Sequence, residues 1–250
     1  MFYSEKKPNV LVYATKDNLV FRDVENPFNS KIYAGHRSKI TAIAEQKTLG
    51  KIAIGDETGK VSIITLRGDG TFFMEKEFEM LSGNVNQILW SNDGNRIVAI
   101  GAGSETKAVA ILIDTGSKSG TILGFTGTQL CSDLAFLEKK TTLFTGGEGS
   151  EVLGHEGFPF KGQGKSSGAI HSNFINQLKL SPDNTKFVTV SSDKSIIVHD
   201  VATQAILSKT AGAHEMGIYD IKWLDNGSFA TCSADNTIKI WSVAADGNIE

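Results

Sequence analysis

The chain has 250 residues, 40% of them hydrophobic, with 26 Gly against 4 Pro and a formal net charge of −3. That apolar content supports a large core, and many glycines call for many tight turns, as in an all-β fold. The charge supplies no basic field for nucleic acid or anionic lipid, and no segment approaches the roughly 20 apolar residues of a membrane helix.

The N-terminus, Met1–Asn9, is polar, carries Glu5, Lys6 and Lys7, and lacks the apolar stretch of a signal peptide. Residues 1–34 read as a partial unit. It offers strands near Val10–Thr15, Leu19–Val24 and Lys31–Tyr33, with no clear innermost strand. From residue 35 onward one pattern recurs. An apolar anchor opens each unit: Ile40, Val85, Cys131, Ile175 and Ile218, spaced by 45, 46, 44 and 43 residues. A period of about 40–45 residues with four strands per unit is the signature of propeller blades. The units fall at 35–80, 81–125, 126–170, 171–210 and 211–250.

Strands within a unit are legible in the last two. Asn176–Leu180, Lys186–Ser191 and Ser195–Asp200 are followed by Gly217–Leu224, Ser228–Ser233 and Thr237–Val243. Their turns, such as Asp225-Asn226-Gly227 and Ala234-Asp235-Asn236, use residues that tolerate left-handed backbone. Apolar blocks such as Ile196-Ile197-Val198 fit strands covered on both faces. Outer strands are expected at Thr71–Met80, Gly120–Phe125 and Gln204–Lys209. The last unit ends at Asp246–Glu250 before a fourth strand is written. The predicted fold is therefore a β-propeller with five full four-stranded blades plus an N-terminal partial blade, read as one domain. It is either an incomplete seven-bladed ring or a closed six-bladed one.

Catalytic constellations are not apparent. No Cys-x-x-Cys, nucleophile elbow or phosphate loop is present. His36, His171 and His214 recur at the repeat period, which points to structural loop duty. His155 and His199 stand without a partner motif, and Asp56, Asp193 and Asp235 sit in tight turns. Cys131 and Cys232 lie in separate strand-like segments and read as free thiols of a cytosolic protein. Neither an enzyme nor a metal or cofactor site is expected. Phe158-Pro159-Phe160-Lys161 leads into Gly162–Gly168, read as a flexible polar loop, and its aromatics are either blade packing or an exposed anchor.

Several of these residues resemble the WD-repeat pattern. Gly35-His36 opens one unit, His171 and His214 stand at the same place in later ones, and Ile238-Lys239-Ile240-Trp241 is similar to the repeat's terminal tryptophan strand. The resemblance implies a buried hydrogen-bond chain from His214 to Thr231 or Ser233 and on to Trp241, with Asp235 bracing the His. Thr65-Leu66, Ile113-Asp114 and His199-Asp200 stand at the Trp-Asp position elsewhere, where packing is expected to replace the network.

The succession of Val20–Pro27, Gly35-His36, Ile54–Lys60, Trp90, Arg96–Ala99, Asp114–Ser117, Glu156–Lys161, Ser181–Asp183 and Ala213–Asp220 resembles the actin-interacting protein 1 family over nearly the whole chain. That likeness implies two linked propellers, of which this chain is an amino-terminal portion. It also implies actin filaments and cofilin as partners, filament disassembly as the outcome, and the cytoplasmic cytoskeleton as the location. By the same likeness the actin-facing positions are Glu105, Glu148, Phe160, Lys161 and Phe174, with Gly162 where relatives carry a second aromatic. The alternatives that packing explains Phe160 and Phe174, and that the glutamates are solvated loop residues, stand beside this reading. So does a general WD-repeat scaffold for another multiprotein complex.

Overall fold

The computed structural model describes residues 1–4, 9–46, 48–137 and 140–249, and these form strands, turns and loops with no helix. Glu5, Lys6 and Lys7, which carry much of the N-terminal polarity, lie outside the described residues. The chain divides into two compact units, Met1–Ser119 and Gly120–Glu250.

The first unit holds three antiparallel sheets in chain order. Strands β1 (Phe2–Tyr3), β2 (Val10–Thr15), β3 (Asn18–Asp23) and β4 (Lys31–Tyr33) form the first. The N-terminal unit therefore does have an innermost strand: Phe2 pairs with Val12 and Tyr3 with Leu11. Two residues leave no periodic pattern to read. The second sheet is β5 (Ile40–Gln46), β6 (Lys51–Asp56), β7 (Lys60–Leu66) and β8 (Phe72–Glu79). The third is β9 (Val85–Trp90), β10 (Arg96–Gly101) and β11 (Ala108–Leu112), three-stranded among the described residues.

The second unit begins with β12 (Gly120–Leu123), the segment expected to be the outer strand of the third sheet. It pairs instead, in parallel, with β16 (Phe160–Gln163). Strands β13 (Gln129–Leu137), β14 (Lys140–Gly147), β15 (Glu151–Gly157) and β17 (Lys165–Ala169) make a four-stranded sheet, so most of the expected loop at 162–168 is strand. Four more strands, β18 (Ile175–Leu180), β19 (Lys186–Ser191), β20 (Ile196–Asp200) and β21 (Ile206–Thr210), follow. A last sheet holds β22 (Ile218–Trp223), β23 (Ser228–Ser233) and β24 (Ile238–Ser242), with no fourth strand among the described residues.

Each of the five later antiparallel sheets has a bulge near the start of its first strand, leaving Thr41, Asn86, Leu130, Asn176 and Tyr219 as the extra residue. A bulge re-aims its side chain, and two of these side chains tie one sheet to the next. Thr41 Oγ1 donates to Val85 O at 2.6 Å, and Asn176 Nδ2 donates to Ile218 O at 2.7 Å. The register also moves the third anchor. Gln129, not Cys131, pairs with the last residue of its hairpin partner, as Ile40 and Ile218 do. Gln129 is buried and donates through Nε2 to Gly127 O.

Apolar burial between successive sheets holds each unit together. Val12, Leu19 and Phe21 pack on Ile40, Ile52 and Ile54, and Ala53, Val61 and Ile63 pack on Val85, Ile88 and Ile97. In the second unit Phe144 and Val152 meet Leu178 and Phe187, while Val188, Val190, Ile196 and Val198 meet Ile218, Ile221 and Phe229. Tight turns from second to third strand need a left-handed residue, supplied by Gly59, Ser150, Lys194 and Asn236. A Cβ at Gly59 would stand 2.0 Å from Leu81 O, which restricts that position to glycine.

Candidate functional site

Pairing across each hairpin fixes which residues occupy equivalent places. In the last sheet His214 lies in the loop entering β22, Thr231 on β23 and Trp241 on β24. Trp241 Nε1 donates to Thr231 Oγ1 at 2.8 Å, and Thr231 Oγ1 lies 2.8 Å from His214 Nε2. His214 Nδ1 lies 2.9 Å from Asp235 Oδ2. Because the indole can only donate, the directions follow: the Thr231 hydroxyl donates to His214 Nε2, and His214 Nδ1–H donates to Asp235. Ser233 stands outside this relay. It donates to Gly217 O at 2.9 Å and braces the incoming loop.

The preceding sheet repeats the relay with a different terminal donor. His171 Nδ1 lies 3.0 Å from Asp193 Oδ2, and His171 Nε2 lies 2.9 Å from Thr189 Oγ1. His199 Nε2 completes it at 3.3 Å from Thr189 Oγ1. His199 pairs with Phe187 as Trp241 pairs with Phe229, so it holds the tryptophan's place. The network is thus retained where packing alone was expected. His155, paired with Leu143, occupies that place one sheet earlier, and its Nε2 lies 2.8 Å from Leu123 O. The spacing 155, 199, 241 is the repeat period itself, a signal missed when both histidines were read singly. In the second sheet Ile54 and Ile64 fill the threonine and tryptophan places, and only the His36 Nε2 to Asp56 Oδ2 contact at 3.1 Å remains.

Electrostatics follow from these partners. Burial pushes the Asp193 carboxyl up, but hydrogen bonds from the Ser195 hydroxyl and the Ser172 and Ser195 amides outweigh it and hold the group well below the usual carboxylate range. Asp235 is lowered in the same way, mainly by Thr237 and His214 against a desolvation cost. Burial, with some help from the nearby His171, drives His199 down to about 3. Burial also lowers His171, against the pull of Asp193. Cys131 is pushed up to about 12 by burial. Burial thus favours the neutral form of His171 and His199, and the networks fix loops; none of these groups presents a nucleophile to solvent. No group of three or more His, Cys, Asp or Glu side chains among the described residues is placed to hold a metal ion. No helix is long and apolar enough to cross a membrane.

Four of the five positions assigned to a partner surface lie in the second unit, and these do not share one end of its sheets. Glu148 sits in the β14–β15 turn and accepts from Thr128 N at 2.9 Å through Oε2. Phe174 precedes β18 in the neighbouring loop and is 46% exposed. That turn and that loop share one end of the sheets, joined by Ser150 Oγ donating to Asn173 O at 2.9 Å. Lys161 is exposed but lies beyond the far end of β15, on β16. Phe160 is only 2% exposed, packed beside Phe158 and against Gly157, so it is a core residue and not an anchor. Its burial follows from the parallel β12–β16 pairing, in which Phe160 lies opposite Gly120. Glu105, in the first unit, is exposed in the connection at residues 102–107.

The WD domain, G-beta repeat family matches residues 166–200 and 206–242, the two stretches that carry the complete relays. The chain is a WD-repeat protein. Over 98% of its length it is 30% identical to WD repeat-containing protein 1 of Xenopus tropicalis, and over 96% it is 28% identical to actin-interacting protein 1 of Drosophila melanogaster. It is 35% identical over 85% of its length to actin-interacting protein 1-2 of Arabidopsis thaliana. This WD-repeat chain spans 40%, 39% and 35% of those three relatives. Its fold class is all-β, and both the sheets and the repeat matches fit the WD-repeat propeller.

Proposed function

We propose that this chain binds actin filaments and, together with cofilin, promotes their disassembly through protein–protein contacts, without catalysis, at the cytoplasmic cytoskeleton. What supports the reading most is kinship over nearly the whole chain with proteins named for interaction with actin. In the second unit the exposed Phe174 ring and the Glu148 carboxylate occupy one end of the sheets, an aromatic beside an acid, the residue chemistry of an interface anchor and its polar rim. Glu105 and Lys161 are assigned to separate, peripheral contacts. Phe160 supports the fold beneath Lys161.

Cosedimentation with actin filaments, with and without cofilin, tests this. The chain is expected to pellet more strongly with cofilin-decorated filaments, and Phe174→Ala to weaken pelleting. Failure to pellet under either condition, with the chain folded, would favour a WD-repeat scaffold for a different complex.

A further inference from the structure

The first strand of each later antiparallel sheet carries a recurring residue near the end away from the loop histidines. Five positions on from the strand's first residue stand Trp90 in β9, Leu134 in β13, Leu180 in β18 and Trp223 in β22. The two tryptophans reach across to the sheet before their own. Trp90 Nε1 donates to Ala44 O at 3.1 Å, and Trp223 Nε1 donates to Lys179 O at 3.0 Å. In β5 the same place holds Glu45, which lies opposite Ile52 as Trp90 lies opposite Ile97 and Trp223 opposite Phe229. Glu45 accepts from Ser4 Oγ at 2.8 Å, and its carboxylate fills far less space than an indole.

A recess of about 390 Å³ opens at Glu45 between the first and second sheets, both within the first unit. Its floor is apolar. Val10, Phe21 and Ile52 belong to the core that joins the two sheets, and Leu49 stands exposed at the edge. Lys31, at the start of β4, and Arg67, just past the end of β7, line it with cations. The two adjoin: a Cβ on Gly70 would lie 2.4 Å from Lys31 Nζ, and Gly70 N donates to Arg67 O. Arg67 is held over the Phe73 ring, 4.1 Å from its centroid. Neither cation has a carboxylate within ion-pair distance among the described residues. The acids nearby have other work. Asp23 Oδ1 accepts from Glu25 N and Asn26 N at 3.0 Å, Asp69 Oδ1 accepts from the Thr71 amide and hydroxyl, and Glu45 holds Ser4.

We propose that this recess binds a peptide segment of a partner protein in which a bulky apolar side chain stands beside a carboxylate. The apolar side chain takes the room that an indole occupies at the equivalent place of β9 and β22, and the carboxylate meets Lys31 and Arg67 at the mouth. Burial against Phe21 and Ile52 supplies most of the affinity. The two cations, half-buried and exposed, add less energy and select the sign of the neighbouring charge. A basic segment is repelled by the same pair. The recess lies at the end of the second sheet opposite His36 and Asp56, so it is separate from the loop network there.

NMR titration of the isotope-labelled full chain with acetyl-Ser-Asp-Leu-Trp-Asp-Ser-amide, up to millimolar concentration, tests the proposal. Amide signals of Gly50, Arg67, Gly68 and Gly70, at the rim of the recess, are expected to shift. The same peptide with Asn for both Asp should bind roughly tenfold more weakly, and one with Ser for Leu and Trp should not bind. K31E/R67E should lose the acidic peptide by a similar factor and should favour a peptide with Lys for both Asp. E45W should fill the recess and abolish binding. Circular dichroism would confirm that each variant keeps its sheets, and K31Q/R67Q carries the test if the others do not. Shifts that avoid the rim, or no shifts at all, overturn the proposal. So does equal binding of the acidic and neutral peptides, or an affinity that K31E/R67E and K31Q/R67Q leave unchanged. None of these outcomes bears on filament binding, which is read separately by cosedimentation.

Discussion

His199 stands toward Thr189 as Trp241 stands toward Thr231: a ring N–H donated to a buried threonine hydroxyl, at 3.3 Å in one sheet and 2.8 Å in the other. The two donors differ in one respect. The indole has no second polar atom, whereas His199 carries Nδ1 into the core, where it has no partner among the described residues. The ring is stacked flat on Phe187, with centroids 4.3 Å apart, so the in-plane lone pair of Nδ1 runs parallel to the aromatic face and gains no donor from it. The relay's geometry is kept, and a buried polar atom is left unpaired.

If the relay orders the last sheet, Thr231→Val should destabilise the chain by about 1–3 kcal/mol, because it strips a partner from both His214 and Trp241 in a buried place. Trp241→Phe should not add its full cost on top, since both changes break one network. Urea denaturation of the two single variants and the double variant would show it. Strict additivity would mean that the three groups do not act together.

Much of this was legible in the sequence, and the misses share a cause. The repeat period was visible because Ile40, Val85, Ile175 and Ile218 are apolar residues at the start of a strand that faces the core. At the third repeat the same place holds Gln129, whose amide is satisfied locally, so an apolar search slides two residues on to Cys131. The relay at His214 was readable because tryptophan is rare; the equivalent one was hidden because His199 does the same work with another side chain, while His155 fills the tryptophan's place but bonds Leu123 O instead. Strands β16 and β17 lie in a Gly- and Ser-rich stretch and pair through backbone, which leaves no alternation to detect. Of the partner surface, exposure could be guessed at Phe174 and not at Phe160. Only the parallel pairing buries the second ring.

Acid should loosen the second unit in two stages. His199 refuses a proton until about pH 3 when folded, while its unfolded value is near 6.5. Between those values the unfolded chain takes up a proton that the folded chain excludes, so stability is full above pH 6.5 and falls as pH drops. The slope is up to about 1.4 kcal/mol per pH unit for such a group. Asp193 and Asp235, both lowered, act in the same direction near and below pH 3.8: their stabilisation is present above that value and is lost as pH falls. His199→Trp keeps the donor and removes the titrating group. Its stability should therefore fall less than that of the wild type between pH 6.5 and 4.5, with His171 and His155, both lowered by burial, contributing to the loss that remains. Identical pH profiles of thermal unfolding for the two chains would show that His199 is not the group responsible.

Phe160 and Phe174 are paired in the sequence reading and separated by the structure, and two measurements distinguish their roles. Phe160→Ala empties a buried site beside Phe158 and opposite Gly120, and should cost about 3–5 kcal/mol of stability. Phe174→Ala, at a half-open loop position, should change stability by no more than about 0.5 kcal/mol. Filament pelleting should order them the other way, once both are compared at a temperature where each remains folded. Phe174→Ala loses binding while its unfolding curve stays in place. Phe160→Ala, with no ring at the surface to lose, binds as well as its folded fraction permits. A Phe160→Ala chain of undiminished stability that nevertheless failed to pellet would put that ring back on the surface and remove the reason for assigning it to the core.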